Sequence, residues 1–131
     1  EYLLNKNFQV VFIGLDRNHE KVQSFLIKKK LAQKVHNFLG KTTLDDLGHL
    51  VNNCYLLLTV DTGVRHIANS FSKKVISLRK THNYDFEFGK YLENDFVINE
   101  YINRETYASK NDSINTINSN EVLKVLKRGL N

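Results

Sequence analysis

Three short runs constrain this chain more than anything else in it: Phe8-Gln9-Val10-Val11-Phe12-Ile13, Tyr55-Leu56-Leu57-Leu58-Thr59-Val60 and Lys74-Val75-Ile76-Ser77-Leu78. Each is almost continuously apolar and rich in β-branched residues, the pattern of a strand covered on both faces. Between them the period changes. Val22, Phe25 and Leu26, then Leu44, Leu47, Leu50 and Val51, then Ile67, Ala68 and Phe71 fall at helical spacing and make one apolar stripe each. A shorter strand is predicted over Lys34 to Leu39 and a last one over Asp95 to Asn99. Ser109 to Asn120 reads as a polar surface loop, and Asn120 as the cap of a final helix carrying Val122, Leu123, Leu126 and Leu130. Strands alternating with helices over short connections predict an α/β fold: a Rossmann-like parallel sheet with helices on both faces, joined by right-handed crossovers.

Length allows one domain over 1–131, and 41% hydrophobic with 25% charged residues excludes the disordered and fibrous classes. No apolar stretch reaches the roughly 20 residues that span a bilayer, and the start lacks the zones of a signal peptide, so a soluble, cytoplasmic protein is expected. The chain starts at Glu1, has no Met and enters its first apolar run after seven residues, as an excised or partial chain would. The single Cys54 forms no internal disulfide and reads as a buried thiol. The net charge of +5 is concentrated most densely at Lys28-Lys29-Lys30, a solvated helix end, and the aromatic-basic interleaving of a nucleic-acid binder is missing. His19, His36, His49 and His82 have no zinc-type spacing with one another or with Cys54, so no metal site is expected.

In open parallel sheets ligands bind beyond the carboxyl ends of the strands. The segments to inspect are therefore Gly14 to Glu20, Gly40 to Thr43, Asp61 to His66 and Arg79 to Tyr84, which should share one rim. In Asp61-Thr62-Gly63-Val64-Arg65-His66 a buried strand passes directly into a helix. Gly63 removes the Cβ that would block close approach, and the first helical N–H groups point outward, an arrangement suited to phosphate. Thr62 can donate a hydroxyl hydrogen bond, Gly63 and Val64 backbone N–H groups, and His66 a donor one turn in. Asp61 would repel a diphosphate and is read as organising the loop. The plain alternative is a helix cap with a turn glycine and a structural histidine. Thr43 is a second candidate N-cap, with Asp45 and Asp46 in the first turn of its helix.

Read together, Gly40-Lys41-Thr42-Thr43-Leu44, a helix, an apolar strand, Asp61-Thr62-Gly63-x-x-His66-x-Ala68 and the Val75-Ile76 strand resemble glycosyltransferase family 9, which includes the ADP-heptose:lipopolysaccharide heptosyltransferases. The resemblance covers about residues 8 to 81. It implies the donor-binding, C-terminal half of a GT-B glycosyltransferase, whose nucleotide sugar, ADP-heptose or similar, is a substrate, with no cofactor required. By resemblance Thr62, Gly63, Val64 and His66 hold the donor diphosphate, Thr42 and Thr43 lie near the base, and an acid after the first strand reaches the ribose. Glu20 is the candidate for that acid, with Asn18 at an equally plausible position. Where the family commonly has Gly-Pro-Thr, this chain has Arg79-Lys80-Thr81: Thr81 is kept, and Arg79 and Lys80 either favour phosphate or are simply solvated. The acceptor domain that carries the family's catalytic base would precede this segment, so the chain alone is expected not to transfer sugar. Its implied partners are the nucleotide sugar and, through that domain, a glycolipid or glycan acceptor of the lipopolysaccharide core. The alternative is a non-catalytic Rossmann-like module that binds a nucleotide or a protein.

Overall fold

The computed structural model describes residues 1–60, 62–80, 95–100 and 117–130. Its elements are α1 (Tyr2–Asn5), β1 (Val11–Phe12), a 3-10 turn (Asp16–Asn18), α2 (His19–Lys28), β2 (His36–Asn37), α3 (Leu44–Asn53), β3 (Leu56–Val60), α4 (Gly63–Ser70), β4 (Lys74–Lys80), β5 (Asp95–Glu100) and α5 (Ser119–Gly129). The chain divides into two compact units, Glu1–His49 and Leu50–Asn131.

The first unit contains a two-stranded parallel sheet with Val11 opposite His36 and Phe12 opposite Asn37. Its hydrogen bonding continues past those residues: the N–H groups of His36, Phe38 and Gly40 donate to the carbonyls of Val10, Phe12 and Gly14, each at 2.9 Å. The ladder therefore runs to the first residues of both turns. Leu26 of α2 and Leu39 are the buried apolar side chains of this unit.

The second unit holds a three-stranded parallel sheet in the order β3-β4-β5, with Leu56 opposite Lys74 and Val75 opposite Asp95. α4 packs on β3 and β4, and α5 on β4 and β5. The central strand behaves as its sequence predicts, since Val75, Ile76 and Ser77 in succession are fully buried. β3 does not. Leu57 is 9% exposed whereas Leu58 and Val60 are 45% and 40% exposed, since α4 packs on β3 while α5 packs on β4 and β5. The parallel arrangement is as predicted, but the described strands form two sheets. β4 also extends to Lys80, two residues past the predicted end, through pairing with β5.

At the start of α5 the cap is Asn118, whose side chain accepts from the N–H of Asn120 at 2.8 Å. The cap thus lies two residues ahead of the predicted Asn120, and the helix begins at Ser119, because Asn118, extended in its backbone, turns its side-chain amide oxygen onto the first turn. Of the predicted polar loop, 109–116 lies outside the described residues.

Three helices end in the same way. After α1, α2 and α4 the chain takes one residue of positive φ, at Asn7 (60°), Lys30 (55°) and Ser72 (53°). The next N–H then reaches back five residues: Phe8 to Leu3, Leu31 to Leu26 and Lys73 to Ala68, at 2.8–3.0 Å. This is the Schellman closure, which glycine adopts most easily. An L side chain in that conformation is strained by about 1 kcal/mol. Lys30 is exposed, and Lys30→Gly is expected to raise stability by about 0.5–1 kcal/mol, read as a higher denaturation midpoint with an unchanged slope.

Candidate functional site

The turns that leave β1 and β2 are locked together. Gly40 donates its N–H to the Gly14 carbonyl and has a φ of +70°, and a Cβ on it would come within 2.6 Å of the Asp16 Cβ and 2.7 Å of its carboxylate. Gly14, at φ +148°, leaves only 3.0 Å between a hypothetical Cβ and Leu39. Both glycines are required by backbone conformation and by close approach. The carboxylate against Gly40 is therefore that of Asp16, two residues past Gly14, at the carboxyl edge of the strands. The sequence reading passed over it; the signal that could have found it is the first acidic residue after the strand-ending glycine. Glu20 lies exposed in the first turn of α2, and Asn18 ends the 3-10 turn.

Thr42 is half-buried in the same segment, and Thr43 forms a reciprocal cap with Asp46. The Thr43 N–H and hydroxyl donate to Asp46 Oδ2 at 2.9 and 2.7 Å, and the Asp46 N–H donates to the Thr43 hydroxyl at 3.1 Å. The cap read from the sequence is thus present, with Asp46 in the position usually taken by Glu or Gln. These hydrogen bonds hold the Asp46 carboxyl below the usual carboxylate range, with His49 adding to the effect. The unfolded chain binds this proton more tightly than the folded one. The contribution is accordingly complete above the ordinary carboxylate pKa and fades as pH falls through the lower folded value. In urea titrations, the stability difference between wild type and Asp46→Asn should shrink steadily below about pH 5.

In the second unit, β3 passes into α4 through Thr62, which has an extended backbone and no side-chain cap on the helix. Its hydroxyl instead turns back toward the Val60 carbonyl at 3.4 Å. Thr62, Gly63 and His66 are exposed and Val64 is half-buried. A Cβ at Gly63 would meet no described atom within 4 Å, so this glycine, unlike Gly14 and Gly40, is not demanded by neighbouring protein atoms. Asp61 and Thr81 lie outside the described residues. Arg79 falls within β4, opposite Asn99.

Arg65 is the residue the sequence reading missed in this motif: it is 0% exposed and engaged within the chain. Its position three residues before Ala68, on the stripe that faces the core, was the available signal. A buried guanidinium whose partners remain is costly to delete, about 3–5 kcal/mol. Arg65→Ala should lower thermal stability on that scale, whereas truncating the exposed neighbour His66 should change it little. One turn beyond Arg65, both polar atoms of the Asn69 side chain are buried with no hydrogen-bond partner among the described residues. Cys54 is half-buried, and burial pushes its thiol up despite the opposing charge of Lys73, so it stays protonated at neutral pH. Among the described residues no three His, Cys, Asp or Glu side chains converge as a metal site, and no helix is long and apolar enough to cross a membrane.

An α/β fold of parallel strands with a helix opening at a strand end defines the class; comparison with known proteins defines the family. The model of glycosyltransferase family 9 (heptosyltransferase) matches residues 1–116, and the chain belongs to that family. Lipopolysaccharide heptosyltransferase 2 of Escherichia coli is 28% identical over 86 residues, covering 64% of this chain and 25% of that protein. The protein of the same name from Salmonella typhimurium matches to the same extent. The structure of E. coli ADP-heptose lps heptosyltransferase II superposes with a TM-score of 0.78 at 26% identity, over 98% of this chain and 38% of that one. A family 9 glycosyl transferase from Veillonella parvula gives 0.81 at 23% identity, likewise over 98% and 38%, and is a likeness of fold. The chain spans a quarter of the length of these curated relatives, and its fold is that of part of a GT-B glycosyltransferase.

Proposed function

We propose that this chain binds the nucleotide-sugar donor, ADP-heptose or a close analogue, of a glycosyltransferase that transfers a heptose or related sugar to a lipopolysaccharide core or surface glycan. The observation that carries the reading is the exposed start of α4: an uncapped Thr62, then a glycine whose missing Cβ keeps open a space that no described atom fills. In this reading Thr62 and the N–H groups of Gly63 and Val64 bind the diphosphate, and His66 adds a donor and, when protonated, a charge. Asp61 organises the loop. Thr42 and an acid of the first turn serve the nucleoside; Asp16, exposed and pressed against Gly40, joins Glu20 as candidate for the ribose.

Transfer would proceed by attack of an acceptor hydroxyl on the anomeric carbon while the nucleoside diphosphate departs with its bonding electrons. The charge that develops on the leaving oxygen is met by helix N–H groups and His66, so stabilisation needs no metal. The base that takes the acceptor proton would come from an acceptor-binding domain. A cytoplasmic location facing the inner membrane suits such an acceptor.

Gly63→Ala separates a donor site from a plain helix start. With open space at this position the variant should fold with unchanged stability, yet bind ADP about tenfold or more weakly in titration calorimetry, since loss of hydrogen bonds to a charged group is at stake. His66→Ala should weaken binding comparably. Wild-type affinity in both variants would sink the assignment.

A further inference from the structure

We propose that Leu15 and Leu44 are the specificity-determining contacts for the nucleobase of the donor, and that Thr43 is a helix cap and not a base ligand. The inference rests on the donor-binding reading and deepens it. Leu44 (74% exposed) and Leu15 (62%) are the two most exposed large hydrophobic side chains among the described residues. One exposed leucine is ordinary. These two flank a single structure: Leu15 lies between Gly14 and Asp16, and Leu44 opens α3 four residues past Gly40, the partner of both. The most solvent-accessible apolar groups of the described chain thus stand on the two turns that the Gly14–Gly40 hydrogen bond ties together, at the carboxyl edge of parallel strands.

The polar groups of these turns narrow what can bind. Thr43 has already donated both its N–H and its hydroxyl to Asp46, so it has no donor left for a base edge. Asp16 carries an exposed carboxylate with no partner among the described residues, an acceptor suited to the vicinal diol of a ribose. A diol acceptor on the same pair of joined turns as two exposed leucines suits a nucleoside, its planar base covered by leucine. Among the side chains of the Gly40–Leu44 turn, Thr42 alone retains a hydroxyl able to read the base edge. Recognition by buried area discriminates weakly between isosteres, by about tenfold to a hundredfold at most.

Titration calorimetry of ADP, GDP and UDP against the full chain tests this. For wild type, ADP and GDP should bind within about tenfold of each other and UDP more weakly, as its base covers less surface. The double variant L15A/L44A should lose about tenfold for the purine nucleotides and flatten the preference for ADP over UDP. Thr43→Ala should bind ADP as wild type does while unfolding more readily. Wild-type ADP affinity in L15A/L44A, or an ADP preference over GDP well beyond about a hundredfold, would overturn the proposal. If wild type, folded by circular dichroism, binds none of the three, it is the donor-site reading that fails. Should L15A/L44A not fold, the wild-type nucleotide series and Thr43→Ala still decide the matter.

Discussion

Parallel strand pairing is the constraint from which the rest of this molecule follows. Two parallel neighbours cannot be joined by a hairpin, so each crossover returns the chain to the same starting edge and leaves every carboxyl end at the opposite one. In the second unit this places the ends of β3, β4 and β5 together, with α4 opening directly from β3. In the first unit it brings the turns after β1 and β2 within hydrogen-bonding distance at Gly14 and Gly40. Local chemistry at both places is then a matter of which backbone groups and side chains happen to occupy a strand end.

α4 shows how one helix divides its work between core and surface. Arg65 and Ala68 are buried against the sheet while Gly63, His66 and Ser70 face outward, a split that follows from helical spacing alone. The buried guanidinium of Arg65 and the exposed imidazole of His66 thus stand one residue apart on different faces of the same turn.

Much of this was legible in the sequence because it depends on neighbours along the chain. Helical spacing located α2, α3, α4 and the body of α5, and the Thr43-Asp46 cap needs only residues three apart. What stayed hidden depends on residues far apart. Whether an apolar run is covered on both faces is decided by its place in the sheet, so β4 met the expectation and Leu58 and Val60 on β3 did not. The contact of Asp16 with Gly40 requires knowing that two turns meet, and the burial of Arg65 requires knowing what lies beneath α4. At the start of α5 two asparagines were available within three residues, and only the backbone angle at Asn118 chose between them.

The placement of glycine in the described chain has a further meaning. Asn7, Lys30 and Ser72 hold conformations that glycine would adopt without strain, whereas Gly14 and Gly40 stand where any side chain would collide. The helix ends therefore carry a distributed reserve of unclaimed stability, and it lies away from the strand ends where ligands are expected. The protein can be hardened at these helix termini while the turns at its strand ends keep their geometry, because the two sets of residues do not overlap.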